Sequence, residues 1–312
     1  MILDAILILA TGLILLLLGS SFLVNSTESF SSKYSISGFV ASFFLIGVST
    51  SAPEIFISIE SALKNETILA IGNAVGSNIS NIALVFAVSI FFMNTENKFM
   101  DHPARAIIGM WFLTLSAILM IIIDSFFSIF DAMILIILFF VMLFFMKYST
   151  ESAEETNQNK SNKSSMFSIL LYSVTGLVML IFGSNFFISG ATEIAILFGV
   201  STYVIGLTLT ALGTSLPELS ASIQSARKGR GDFIVGNIIG SNIFNIAIAM
   251  SVAGLIQPTM VIENEFIRDT CMLIFSMVIF YFIIKSDKNI IKIVYSALLV
   301  ISYVVYLSYI LN

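Results

Sequence analysis

The chain has 312 residues, 58% of them hydrophobic and 11% charged, with a mean hydropathy of +1.02. No soluble domain of this length needs so much apolar surface, and the net charge of −5 comes with no basic patch for nucleic acid. One cysteine and one histidine exclude an internal disulfide and a thiolate metal cluster.

Runs of about 20 mostly apolar residues, enough to cross a bilayer core, fill the chain. They predict an all-α membrane protein with ten transmembrane helices near 2–31, 35–64, 67–93, 104–123, 126–147, 165–196, 202–228, 232–256, 265–284 and 289–311. The first run, Ile2 to Gly19, carries Asp4 where a signal peptide has a positive flank, and no small-residue cleavage site follows, so it reads as the first helix. The second helix holds Gly47–Glu54, GVSTSAPE, and the third holds Gly72–Asn81, GNAVGSNISN. His102 precedes Pro103 at the start of the fourth and reads as a loop residue; Asp124 and Asp131 flank the turn between the fourth and fifth. Residues 148–164 are hydrophilic, with Glu151, Glu154, Glu155, Lys160 and Lys163, and read as a solvated linker between a first unit, 1–147, and a second, 165–312. In that second unit the seventh helix carries Ala211–Glu218, ALGTSLPE, and the eighth Gly236–Asn245, GNIIGSNIFN. Cys271, in the apolar run of the ninth helix, reads as a packing residue.

A shift of 164 aligns the halves without a gap from Gly19 to Val88, and over positions 45–83 it makes 19 of 39 residues identical. The shared residues are mostly not apolar, so hydropathy alone does not account for them. Five helices per half is an odd number, so the second half enters the membrane upside down. Two inverted-topology repeats of five helices are expected, with a site at the midplane where they meet.

Loop charges support that arrangement. Alternating the sides collects Lys33, Lys98, Arg105, Lys147, Lys160, Lys163, Arg227, Lys228, Arg230, Lys285, Lys288 and Lys292 on one side, against Lys64 and Arg268 on the other. By the positive-inside rule both termini lie outside and the linker is cytoplasmic, in a multi-pass protein of the cell membrane.

Glu54 and Glu218 fall at equivalent positions near the middle of their spans, where an ionised carboxylate costs at least ~2.5 kcal/mol. Pro53 and Pro217 precede them; proline donates no N–H, which loosens the carbonyls around Ser49 and Thr50 and around Gly213 and Thr214. Thr50, Ser51 and Glu54 crowd one region of their helix. Asn73, Ser77 and Asn81 form one stripe, repeated by Asn237, Ser241 and Asn245. Gly72 and Gly76, with Gly236 and Gly240, form GxxxG spacings suited to close helix packing. Carboxylates, carbonyls, hydroxyls and amide oxygens together make an all-oxygen cage. Such a cage suits a hard cation such as Ca²⁺, which takes about 6–8 oxygens, and not zinc or copper. Two carboxylates balance one Ca²⁺, and Na⁺ competing for the same oxygens would couple two fluxes.

The four motifs resemble the paired alpha-repeats of the sodium/calcium exchanger family, prokaryotic type, in the calcium:cation antiporter superfamily. The resemblance implies that Glu54 and Glu218 are the central Ca²⁺ carboxylates, completed by carbonyls of Thr50 and Thr214. It implies that Ser77, Ser241, the hydroxyls of Thr50 and Thr214 and the carbonyls of Gly47 and Ala211 serve flanking Na⁺ sites. Ser51 and Ser215 would line the site, and Asn81 and Asn245 would face its centre. Family members commonly carry aspartate at the position of Asn245; asparagine there leaves −2 rather than −3. This departure argues against the potassium-dependent branch. Proton-coupled relatives carry an acid close after GNA, where this chain has Gly76-Ser77.

The expected function is secondary active exchange of Ca²⁺ for Na⁺ by alternating access, with no cofactor, the two ions as substrates, the lipid bilayer as surroundings and no obligatory protein partner. A Ca²⁺/H⁺ or other divalent cation/H⁺ antiporter and a passive cation channel are the alternatives. No Ser/His or Cys/His constellation supports an enzyme.

Overall fold

The computed structural model describes residues 2–93, 104–147, 165–199, 213–261 and 263–311, and they are almost wholly helical. The helices are α1 (Ile2–Tyr34), α2 (Gly38–Thr50), α3 (Ala52–Leu63), α4 (Thr67–Phe91), α5 (Ala104–Asp124), α6 (Ile129–Lys147), α7 (Met166–Leu197), α8 (Leu216–Arg227), α9 (Gly231–Ile256), α10 (Glu263–Lys285) and α11 (Asn289–Leu311). Among the described residues, eight helices are long and apolar enough to cross a membrane. The bent pair α2 and α3 makes a ninth if counted as one span. With α8 only 12 residues long, the expected seventh helix falls partly outside the described residues. So do Ala211, His102 and the expected linker, 148–164.

Each break has a local cause. Ser51 ends α2 at φ −83°, ψ 0°, and α3 starts with Pro53 in its first turn, where a missing N–H costs nothing. The two axes meet at 43°. Ser215 stands before α8 in the same way, at φ −88°, ψ 1°, with Pro217 in the first turn. Ser128 and Asp131 cap α6 reciprocally: Ser128 N and Oγ donate to Asp131 Oδ2 at 2.8 and 2.6 Å, and Asp131 N donates back to Ser128 Oγ at 3.1 Å.

Backbone conformation recurs at the 164-residue offset. Ser35 and Gly199 both take the left-handed conformation, at φ 51° and 80°, and so do Asn65 and Gly229, at φ 62° and 72°. Wide π turns interrupt α4 at Asn81–Phe86 and α9 at Asn245–Met250. A third, Phe43–Gly47, lies within α2.

Lipid gives helices no hydrophobic reason to associate, so close packing must do it. The two longest helices, α1 and α7, run antiparallel along a glycine seam. Gly12 faces Gly183, Gly19 faces Gly176 and Gly190 faces Ala5 and Leu9. A Cβ on Gly19 would stand 2.8 Å from Gly176 O. α4 and α9 are the most enclosed spans and form the centre. α3 packs on the π turn of α9, and α8 packs on the π turn of α4. Outside them, α5 and α6 pair on the α9 side while α10 and α11 pair on the α4 side. Cys271 is exposed on α10, which corrects the packing role expected for it: its side chain is not enclosed by the described residues. Among the described residues a two-residue bridge, β1 (Phe126–Phe127) with β2 (Thr259–Met260), is the small exception to the helices.

Candidate functional site

The breaks before α3 and α8 deliver Glu54 and Glu218 to the middle of the bundle. Both side chains are fully buried, and among the described residues all four carboxylate oxygens lack a hydrogen-bond partner. The two are near enough for their charges to act on one another. Ser77 approaches Glu54 and Thr50 approaches Glu218 without completing a hydrogen bond. Among the described residues no third carboxylate, imidazole or thiol joins them.

Neutral oxygens surround the pair. Asn81 and Asn245, each the first residue of a π turn, are fully buried, and their Oδ1 atoms are also without partners. Their Nδ2 atoms are occupied: Asn81 donates to Asn242 Oδ1 at 3.2 Å and Asn245 to Asn78 Oδ1 at 3.1 Å. These bonds exchange under the 164-residue offset, so each half holds the other's asparagine. Ser51 Oγ is buried and unpartnered, whereas Ser215 Oγ meets Ser80 Oγ at 2.6 Å. Phe244 occupies the position equivalent to Ser80, so Ser51 has no matching hydroxyl to meet.

The flanking groups differ between the halves. Thr50 Oγ1 lies 3.0 Å from Ile46 O, 3.2 Å from Asn237 Oδ1 and 3.3 Å from Ser241 Oγ. Ser241 Oγ also reaches Gly47 O at 3.4 Å, so Thr50, Gly47 and Ser241 form one compact cluster. Asn237 Nδ2 donates to Ser222 Oγ at 2.9 Å and ties α9 to α8. The equivalent pair, Asn73 Nδ2 and Ser58 Oγ, is buried with neither atom partnered. Ser77 is buried and Thr214 partly buried, and Ala211 lies outside the described residues. The glycines follow the same division. Gly236 and Gly240 press on α2, where an added Cβ would come 2.6 Å from Phe39 O and 2.7 Å from Phe43 O. Around Gly72 and Gly76 no described atom lies within 4 Å of an added Cβ, and most of the segment equivalent to α2, 202–212, falls outside the described residues.

An ionised carboxylate buried without a partner is among the costliest groups a fold can hold. Two of them at equivalent positions, ringed by unpartnered amide and hydroxyl oxygens, form an arrangement that a hard cation would stabilise.

The sodium/calcium exchanger protein family matches residues 4–148 and again 168–312, two stretches whose starts lie 164 residues apart. The chain belongs to the sodium/calcium exchanger family. The sodium/calcium exchanger MaX1 of Methanosarcina acetivorans is 30% identical, the match covering 89% of this chain and 90% of that one. An uncharacterised membrane protein of Methanocaldococcus jannaschii is 33% identical over 87% of each chain. A solved structure of the sodium-calcium exchanger NCX_Mj, soaked with Na⁺ and Sr²⁺, superposes with a TM-score of 0.82 over 99% of each chain at 31% identity. As a member of this family the chain is an integral membrane protein of cation antiport, and its relatives are transporters, not enzymes.

In this exchanger the residues expected from the sequence do not include Asn78, which holds Asn245, Asn242, which holds Asn81, or Ser222, which meets Asn237, with Ser58 as its equivalent. A signal existed: all four are identical across the repeat. Asn78 sits one residue off the Asn73–Ser77–Asn81 stripe, so helical spacing alone set it aside.

Proposed function

We propose that the protein exchanges Ca²⁺ for Na⁺ by alternating access, as ten helices in two inverted repeats with both termini outside the cell membrane and the linker at 148–164 cytoplasmic. The observation that carries the ion assignment is the set of unpartnered buried oxygens at the centre. It comprises the four carboxylate oxygens of Glu54 and Glu218, with Oδ1 of Asn81 and Asn245. Six oxygens carrying a formal charge of −2 match the ligand number and charge that a Ca²⁺ ion takes. The Thr50–Gly47–Ser241 cluster and its repeat equivalents, Thr214, Ala211 and Ser77, supply the neutral oxygens for Na⁺. Thr50 and Thr214 carbonyls complete the Ca²⁺ set, and Ser51 and Ser215 line it. Competition for shared oxygens couples the fluxes, because neither ion set can form while the other is in place. The repeated φ values, the paired π turns and the double family match support the two-repeat reading.

The test uses purified protein in liposomes. Vesicles loaded with Na⁺ and diluted into Na⁺-free buffer are expected to accumulate ⁴⁵Ca²⁺. Equal uptake driven by a pH gradient without Na⁺ would move the reading to proton coupling, and uptake needing no counter-ion would move it to a channel. Glu54→Gln and Glu218→Gln should each abolish the Na⁺-driven uptake in a protein that still elutes as a folded species. Full uptake by both variants would remove these carboxylates from the site.

A further inference from the structure

The asparagines that face the site have two chemically opposite ends. An amide turned with its oxygen toward a cation binds it, and one turned with its NH₂ toward a cation repels it. Both inner residues, Asn81 and Asn245, are fully buried, so bulk water does not set their orientation. Protein groups must do it.

Two further asparagines do so. Asn245 Nδ2 donates to Asn78 Oδ1, and Asn78 Nδ2 in turn donates to the backbone carbonyl of Asn242 at 3.0 Å. A backbone carbonyl can only accept, so Asn78 has one orientation, and Asn245 must offer it an N–H. The relay leaves Asn245 Oδ1 free. On the other half Asn81 Nδ2 donates to Asn242 Oδ1. Among the described residues Asn242 Nδ2 reaches only Met110 Sδ, at 3.9 Å, and a thioether is a weak acceptor. The same relay therefore exists twice, firmly anchored at Asn78 and softly anchored at Asn242. Asn78 and Asn242 have no unpartnered polar atom, so they are not themselves turned to the site.

We propose that Asn78 and Asn242 are positioning residues for cation binding: each takes the N–H of the opposite half's inner asparagine and so presents that residue's oxygen to the ion. The proposal rests on the reading of Asn81 and Asn245 as cation ligands. Outer groups that orient ligands commonly change metal affinity by about 10–100-fold when removed. Because each relay crosses between halves, Asn78 acts through Asn245 and Asn242 through Asn81.

The experiment measures ⁴⁵Ca²⁺ binding to the purified protein in detergent, and the KM and maximal rate of Na⁺-driven ⁴⁵Ca²⁺ uptake in liposomes. Asn78→Leu keeps the volume and removes the amide. It should weaken Ca²⁺ binding and raise KM about tenfold with the maximal rate within about twofold, and Asn242→Leu should do the same by a smaller factor. Asn78→Leu added to Asn245→Leu should cause little further loss, while added to Asn81→Leu the two losses should multiply. That crossed pattern is not expected of a general packing role. Unchanged Ca²⁺ affinity in both leucine variants, or losses that multiply for the Asn78–Asn245 pair, would overturn the proposal. If Asn78→Leu does not yield folded protein, Asn242→Leu carries the same test with Asn81 as its partner. A wild-type protein that binds Ca²⁺ but shows no Na⁺-driven uptake would overturn the exchange reading, and the binding ratios would still decide the amide role.

Discussion

Glu54 and Glu218 share a chemistry and an offset, but Asn245 sets the charge around them. With amides at both 81 and 245 the centre carries −2 when both acids are ionised. Asn245→Asp would bring it to −3 and set a carboxylate oxygen where Nδ2 now meets Asn78 Oδ1 at 3.1 Å. A third charge attracts additional monovalent ions more than it alters the fit of one divalent ion, so the expected change is in Na⁺. The Hill slope for Na⁺ and the charge moved per Ca²⁺ should both shift, with Ca²⁺ still preferred, and parallel current and ⁴⁵Ca²⁺ measurements would read it. An unchanged slope with unchanged charge per cycle would place Asn245 outside the ion path. At this scale the sequence displayed the acids, their prolines and the oxygen stripes directly, because the offset repeats them residue for residue. It did not display which oxygens stay free. That depends on contacts between helices far apart in the chain, as in the meeting of Ser215 with Ser80, a hydroxyl for which the repeat has Phe244 on the Ser51 side.

Among the elements, the α1–α7 pair and the turn before α9 hold the frame around the site. On α7 a Cβ at Gly183 would stand 2.8 Å from Leu16 N, a backbone atom with nowhere to move. Gly183→Val should therefore separate α1 from α7 and cost about 1–3 kcal/mol, seen as a lower melting temperature in detergent. A melting temperature equal to that of the wild type would mean the seam is slack. Next to α9, Arg230 donates to both oxygens of Asp232, at 2.9 and 2.7 Å, lies 3.6 Å from the Phe233 ring centre and reaches Glu28 on α1 at 3.4 Å. Lys228 joins Glu28 at 2.8 Å. Arg230→Ala strands Asp232, only 7% exposed, and should also lower the melting temperature, by about 1–3 kcal/mol in stability. Lys64→Ala, which breaks the open Glu60–Lys64 pair, should leave it unchanged. Equal effects of the two would show that burial is not what gives the Arg230 pair its weight. The positions of the eight long apolar helices and the breaks at Pro53 and Pro217 were readable from apolar runs and proline. The π turns were not, since one extra residue in a turn leaves no mark in composition. Nor was the glycine seam, whose spacing of seven differs from the GxxxG pattern singled out in α4 and α9.

For the whole molecule the central claim is that the halves are inverted copies. Three packings among the described residues bear on it: α3 against the π turn of α9, α8 against that of α4, and glycines of α1 and α7 matched in opposite order. The same 164-residue offset was visible in the chain before any fold was known. The difference between halves was not, because identical motifs cannot say that Asn237 meets Ser222 while Asn73 and Ser58 stay apart. Inversion has a consequence that side-chain chemistry does not touch. Lys64 and Lys228 are equivalent residues, each closing a short helix after a Pro-Glu motif. In a parallel repeat they would emerge on the same face of the membrane, and in an inverted one they must emerge on opposite faces. Lys64→Cys and Lys228→Cys, each placed in a Cys271→Ser background, make this a labelling experiment. A membrane-impermeant maleimide added to intact cells should modify the cysteine at 64 and spare the one at 228 until the membrane is opened. Labelling of both from one side would refute the inverted repeat, and labelling of 228 alone would keep the inversion but reverse the orientation that the loop charges assign.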